Sequence, residues 1–296
     1  MGAKIEFRGC YVAIVTPFKA DGSLDEEGLR SNIEFLVSNG VAGVVPCGTT
    51  GESATLSWEE HTRVVDVTIE QVRGRVQVIA GAGSNNTSEA VEAAKHAKER
   101  GADAVLTITP YYNKPSQEGL FRHFSAIAAA VDIPMVLYNV PGRTGVNMLP
   151  ETVERLSRLP QAAAVKEASG NVTQISEIHR LCGERITVLS GDDGLTLPIL
   201  ACGGTGVISV TGNIVPAKMS KMVDLYLKGD HAGALKLHEE LLPLSQIVFI
   251  ESNPVPVKTC MAEMGLAAGP VRLPLAPMTE SNREKLLSVW KTYKAG

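Results

Sequence analysis

The chain of 296 residues contains no run close to the roughly 18 consecutive apolar positions that a membrane-spanning helix needs. Its opening, Met1-Gly2-Ala3-Lys4-Ile5-Glu6, lacks the apolar core of a signal peptide, and no membrane partner is expected. Cysteine is sparse. Cys10, Cys47, Cys182, Cys202 and Cys260 are odd in number and form no CxxC pair, which argues against a disulfide framework and suits reduced thiols in a cytoplasmic protein. An excess of charge is also missing: at a net −4 there is no basic patch for nucleic acid and no polybasic membrane anchor. Low-complexity tracts, flexible linkers and repeats of 20–50 residues are absent beyond a βα rhythm.

What remains is an ordinary soluble composition, 44% apolar and 20% charged. The length suits one large α/β domain, or a domain of about 220 residues with an appendage. Short β-branched runs recur at fairly even spacing, and predict strands at 11–15, 43–46, 76–80, 104–108, 135–138, 163–166, 186–189 and 206–210. Amphipathic stretches lie between them. Leu29, Ile33, Leu36 and Val37 mark one helical face, Ser57-Trp58-Glu59-Glu60 has capping-box spacing, and Asn86 stands three residues before Glu89 as a further cap. Apolar strands joined by helices should be parallel and buried on both faces. Eight such units in about 215 residues predict a (β/α)8 TIM barrel over 1–225.

After Val210 the strand signal stops. Segments 217–228, 231–250 and 254–266 read as helices, with Asn253-Pro254 as cap and first helical residue, and Ser281-x-x-Glu284 opens a last one carrying Leu286, Leu287 and Trp290. A C-terminal helical domain over 226–296 is expected.

Barrel enzymes place their chemistry on loops at the C-terminal strand ends. Lys166 closes the run Ala162-Ala163-Ala164-Val165, so a lone amine stands where a buried strand ends. An ammonium at the edge of a dry interior has a lowered pKa, and the free amine can attack a carbonyl to form an imine. The alternative is a solvated lysine opening a loop. Gly48-Thr49-Thr50-Gly51-Glu52 follows the second strand and is either a carboxylate-holding turn or a tight turn with a helix cap. Tyr111-Tyr112-Asn113-Lys114-Pro115 follows the fourth. Adjacent tyrosines diverge, so one suits the site and the other an interface, unless both are interface anchors. The fifth strand ends in Tyr138-Asn139-Val140-Pro141-Gly142-Arg143-Thr144, where a phenol can shuttle protons and a guanidinium can grip a carboxylate. Ser190-Gly191-Asp192-Asp193 ends the seventh. Together these groups suit imine-based carbonyl chemistry that requires no external cofactor.

Other features are set aside. Gly81-x-Gly83 lacks the third glycine of a dinucleotide fingerprint, and Gly203-Gly204-Thr205-Gly206 is better read as a tight entry to the eighth strand than as a phosphate loop. His179 and Cys182 share a helix face without further ligands and read as surface residues, so no metal is expected. His231 and His238 read as solvated. Lys258 follows an apolar run within a predicted helix, where a packed stem with a snorkelled head is expected.

The order and spacing of Gly48–Glu52, Tyr138–Thr144 and Val165-Lys166-Glu167, continued through Asn253-Pro254-Val255-Pro256-Val257-Lys258, resemble the dihydrodipicolinate synthase family of pyruvate-dependent class I aldolases and lyases. The resemblance covers nearly the whole chain. It implies a Schiff base between Lys166 and pyruvate, proton transfer by Tyr138, and a relay completed by Thr49 and by Tyr112 of a neighbouring subunit. Thr50 would hold the pyruvate carboxylate, backbone groups of Gly191 and Ile208 would shape the pocket, and Arg143 would bind the carboxylate of the incoming aldehyde. Because sugar-acid lyase relatives usually lack that arginine, L-aspartate 4-semialdehyde is the expected second substrate, giving 4-hydroxy-tetrahydrodipicolinate on the route to diaminopimelate and lysine. The resemblance further implies a homotetramer built from tight dimers. Ser53, Ala54, His61, Asn85, Glu89 and Tyr111 match the site at which lysine inhibits some members, while Trp58 departs from the histidine of many bacterial ones. The competing readings are a sugar-acid pyruvate lyase of the N-acetylneuraminate or ketodeoxygluconate type, and a keto-acid-binding barrel without turnover.

Overall fold

The apolar runs pair only in parallel, because each is followed by a helix that carries the chain back to the opposite end of the sheet. The computed structural model describes residues 5–295, so the reading of residues 1–4 lies outside the described residues. In chain order the barrel elements are β1 (Gly9–Ala13), α1 (Glu26–Ser38), β2 (Gly43–Val45), α2 (Trp58–Val72), β3 (Gln77–Gly81), α3 (Thr87–Arg100), β4 (Ala104–Ile108), α4 (Gln117–Ala130), β5 (Met135–Asn139), α5 (Pro141–Thr144), α6 (Pro150–Leu156), β6 (Ala162–Glu167), α7 (Val172–Cys182), β7 (Thr187–Ser190), α8 (Thr196–Ala201), β8 (Gly206–Ser209) and α9 (Pro216–Leu227). Three helices follow: α10 (His231–Ile247), α11 (Val255–Glu263) and α12 (Glu280–Ala295). The strands pair in sequence order and β8 returns to β1 with Gly9 opposite Gly206, closing the (β/α)8 barrel.

Two apolar layers result from the period-two alternation of each strand. Tyr11, Val45, Ile79, Leu106, Val136, Leu189 and Ile208 fill the barrel interior. Val12, Val44 and Val165 face outward onto Leu29, Ile33 and Ile178 of the helices. The first strand begins two residues earlier than the β-branched run implies. Val15 is buried but has left the ladder, its N–H donating to the Asn213 side chain at 3.4 Å.

Local chemistry explains the helix starts. Ser57 accepts from Glu60 N, and the Glu60 carboxylate accepts from Ser57 N in return, while Asn86 accepts from Ser88 N ahead of α3. The tail departs from expectation in detail. Helix α10 ends at Ile247, since Phe249 and Ile250 donate to carbonyls only three residues back and tighten the chain into a turn. Pro254 lies just before α11 rather than within it, and Asn253 does not cap it: its amide instead donates to Thr50 Oγ1. Helix α12 starts at Glu280, so Ser281 lies inside it, and Thr279 before it donates to Glu251.

Three side chains also depart from their surface readings. Cys182 is buried although His179 is exposed, since α7 turns its cysteine toward the barrel and Ile178. His238 is half-buried, with its pKa lowered by burial. Lys258 does not snorkel; the residue is 3% exposed and its ammonium is paired with Glu52.

Candidate active site

Strands β5 and β6 bring Tyr138 and Lys166 face to face, because both residues fall on the inward side of their strands. A bulge decides the match. Met135 pairs with Ala162, but Val136 pairs with Ala164, so Ala163 is an extra residue in β6 and Tyr138 comes opposite Lys166. Without that insertion Tyr138 would face Val165. Lys166 Nζ lies 4.1 Å from the Tyr138 ring centroid. The side chain is 6% exposed, and burial lowers its pKa to about 7, opposed by the Asp193 carboxylate and reinforced by Arg143. Free amine is therefore present near neutral pH, where an ordinary lysine is almost wholly protonated. Burial raises the Tyr138 phenol, while Arg143 and a hydrogen bond with Thr49 oppose the rise. An amine that resists its proton and a phenol that keeps its own form a pair suited to carbonyl condensation.

The turn Gly48–Glu52 supplies the hydroxyls. Gly51 N and Glu52 N donate to Gly48 O and Thr49 O at 3.1 Å, which coils the turn and presents Thr49 toward Tyr138. Thr50 is buried against the tail, its hydroxyl accepting from Asn253 Nδ2 at 3.0 Å. A cavity of about 700 Å³ opens above this group, with Thr49, Tyr138, Arg143 and Asn253 on its wall. Lys166, Thr50, Gly191 and Ile208 are not on that wall.

Gly191 has a steric reason to lack a side chain. A Cβ there would come within 2.7 Å of Ala168 Cβ and 3.1 Å of Lys166 Cε and Cγ. Its N–H donates to Glu167 O at 2.8 Å, which holds the loop after β7 against the lysine strand. Ile208 is fully buried in β8 and closes the interior layer. Arg143 sits exposed on α5 at the cavity wall, and among the described residues no carboxylate pairs with it. Tyr112 does not join the cluster of its own chain. It stands 88% exposed at φ 70°, whereas Tyr111 turns to the cavity.

The cavity's outer arm gathers Ser53, Ala54, Trp58, His61, Glu89 and Tyr111. Asn85 borders it by donating to Tyr111 O at 3.2 Å. Trp58 stacks on His61 with centroids 5.6 Å apart. Burial, followed by His96, drives the His61 pKa down to about 4, so the imidazole is neutral; Glu89 is the carboxylate beside it on this arm. Ser84 Oγ donates to that carboxylate at 2.7 Å.

Several supporting residues were not singled out by pattern alone. Asp193 is buried, and its Oδ2 accepts from Val210 N, Thr211 N and Thr211 Oγ1 at 2.9–3.0 Å, tying the loop after β7 to that after β8. Glu167 is fully buried and accepts from Asn139 Nδ2, Ser169 N and Gln174 Nε2. Both acids sit in the strand-end strings already noted, but nothing in a string says which neighbour is buried. Asn253 stands out in the sequence as a helix-cap signal and as part of the Asn253–Lys258 string, and neither shows that it bonds Thr50. Among the described residues no three His, Cys, Asp or Glu side chains gather as a metal site, and no helix is long and apolar enough to cross a membrane.

Residues 6–292 match the model of the dihydrodipicolinate synthetase family. The 4-hydroxy-tetrahydrodipicolinate synthase of Citrifermentans bemidjiense is 59% identical over 288 residues, covering 97% of this chain and 99% of the relative. The structure of the dihydrodipicolinate synthase of Acinetobacter baumannii in complex with pyruvate superposes with a TM-score of 0.95 at 44% identity, covering 97% of this chain and 99% of the other. That of the Cyanidioschyzon merolae enzyme with lysine bound does so at 0.95 and 41%, covering 97% and 98%. By sequence and by structure, the chain belongs to the dihydrodipicolinate synthetase family.

Proposed function

We propose that this chain condenses pyruvate with L-aspartate 4-semialdehyde to 4-hydroxy-tetrahydrodipicolinate, the first committed step toward diaminopimelate and lysine. The observation that carries the reading is the dry Lys166 amine held 4.1 Å from the Tyr138 ring, with Thr49 at the phenol. The free amine adds to the C2 carbonyl of pyruvate, and loss of water leaves an iminium whose positive nitrogen draws electrons from C3. Removal of a C3 proton gives an enamine, which attacks the aldehyde carbon. The amino group of the second substrate then displaces Lys166 from the imine carbon, closing the ring and freeing the lysine. Tyr138 accepts and returns the protons, with Thr49 relaying them. Thr50 holds the pyruvate carboxylate, and backbone groups of Gly191 and Ile208 line the deep end. Every electron pair comes from substrate or lysine, so no external cofactor enters.

Arg143 is the recognition element for the second substrate. Its unpaired guanidinium at the cavity wall suits the aldehyde's carboxylate and has no counterpart role with a neutral sugar. The exposed Tyr112 completes the relay of a neighbouring copy, which makes a dimer the smallest active unit and a tetramer of paired dimers the expected assembly, in the cytoplasm. The outer arm takes lysine as a feedback inhibitor: Glu89 meets its ammonium and the Trp58 ring offers a cation–π face.

The deciding experiment is borohydride reduction in the presence of pyruvate, followed by peptide mass mapping. A pyruvyl adduct on Lys166 is expected; an adduct elsewhere, or none, overturns the reading. Arg143→Ala should leave that adduct intact while raising the KM for the aldehyde by about ten- to a hundredfold. A velocity that stays flat up to millimolar lysine would remove the inhibitor site.

A further inference from the structure

Lys258 is a buried cation that the imine chemistry leaves unused. Its ammonium is buried where α11 packs against the Gly48–Glu52 turn, and its three protons meet three acceptors. They are Glu52 Oε1 at 2.7 Å, Pro270 O at 2.8 Å and Thr16 O at 3.1 Å. Lys258 and Glu52 side chains are 2% and 1% exposed. Glu52 itself ends the turn at φ 52°, a left-handed conformation that a residue with a side chain adopts at a cost. Its second oxygen accepts from Arg272 N at 3.0 Å, so the carboxylate is held from two sides.

The rest of the turn is gripped in the same direction. Thr16 Oγ1 donates to Gly51 O at 2.7 Å, and the acceptor of Lys258 on that strand end is Thr16's own carbonyl. Asn253, just ahead of the helix that carries Lys258, donates to Thr50 Oγ1. The turn that presents Thr49 and Thr50 is thus tied at its end and along its length to the segment 253–258. A buried ion pair is weak evidence for stability, since desolvating both charges offsets most of their attraction. Its location argues for placement instead.

We infer that the Lys258–Glu52 ion pair is a positioning device, which fixes Thr49 and Thr50 relative to Lys166 and Tyr138 by anchoring their turn to α11. The inference rests on the imine reading above. Glu52 reaches the cavity wall, but its side chain is 1% exposed and its two oxygens are taken by Lys258 Nζ and Arg272 N, so the pair is placed to hold the turn and not to bind substrate. The pair acts through the two threonines, one of which relays protons while the other holds the pyruvate carboxylate.

The test uses the full chain carrying Glu52→Gln, Lys258→Met, or both. Three quantities are read: Tm, the fraction of subunits that take up a pyruvyl adduct on borohydride reduction, and kcat per labelled site together with the KM for pyruvate. Each single variant should lose Tm because it strands one buried charge. The double variant should regain most of that Tm. Its kcat per labelled site should still be lower by about tenfold or more, with the pyruvate KM several-fold higher, as expected for displaced groups. A purely structural staple would lower the labelled fraction and leave both constants of the labelled sites unchanged, so parental constants in the double variant overturn the inference. Should the double variant fail to fold, Glu52→Asp decides on the same terms, because it keeps the charge and withdraws the carboxylate by one methylene. The parent chain reads the underlying chemistry separately. No adduct there overturns the imine reading and this inference with it, whereas an adduct there with parental constants in the variants overturns this inference alone.

Discussion

Lys166 Nζ rests 4.1 Å from the centre of the Tyr138 ring, and the two residues are register partners on adjacent strands. The amine and the phenol are therefore placed by the same ladder of backbone hydrogen bonds. Any change that slips β5 against β6 by one residue would separate them, since alternation turns every side chain to the other face.

The lowered Lys166 pKa sets the pH response of the first covalent step. Imine formation needs the free amine, so the initial rate of borohydride trapping with pyruvate should rise with a midpoint near the amine's pKa of about 7 and level off above it. A midpoint close to the ordinary 10.5 would show the amine to be solvated.

The same shift predicts a stability cost. Between about 7 and 10.5 the unfolded chain binds more protons at this lysine than the folded chain does. Stability is therefore highest above the upper value and falls as pH drops through the lower one. Lys166→Met should remove a penalty of no more than about 5 kcal/mol. Calorimetry should record a Tm gain of several degrees at pH 6 that shrinks steadily above pH 7. A lower Tm at pH 6 would contradict the dry environment assigned to the amine.

Gly191→Ala tests the space around Lys166. The added methyl meets Ala168 Cβ at 2.7 Å and two Lys166 carbons at 3.1 Å, so the lysine stem must move. Overpacking of this kind costs about 1–3 kcal/mol. Because the stem carries the amine, kcat should fall by about tenfold or more even where the variant is folded. Unchanged kcat would mean that Lys166 has slack the geometry does not show.

Asn139→Ala tests the network behind β5 and β6. Asn139 Nδ2 donates to both oxygens of Glu167, at 3.2 and 3.1 Å, one residue beyond the Tyr138–Lys166 pair. Burial already raises the Glu167 pKa, and the hydrogen bond from Asn139 is the first group opposing that rise. Losing it raises the pKa further, which penalises the folded state only where the carboxylate must ionise. Denaturant titration should show a loss of about 1–3 kcal/mol at pH 8 that diminishes toward pH 4. A loss independent of pH would assign the effect to the bonds that Asn139 makes with Met148 N and Asn147 and not to Glu167.

The barrel was legible because its signals are local. Alternating apolar runs and helix caps repeat along the chain, and each βα unit states its own type before the ring closes. Strand β4 falls at the expected residues, and the capping box at Ser57 is fully formed. Lys166, Tyr138 and the paired threonines were also within reach, since polar groups that end apolar strands are conspicuous one at a time.

What the amino-acid string determined by itself was the element types, their order and the reactive groups at the strand ends. The tertiary structure decided which of those groups meet. The extra Ala163 that sets Tyr138 opposite Lys166 is invisible in a run of three alanines, because a bulge is a choice of pairing between two strands and not a property of either. Lys258 reads as a snorkelling surface lysine until Glu52, 206 residues away in the chain, is folded against it. Burial of charge depends on such long-range neighbours, so only the closed fold could separate the dry lysines from the wet ones.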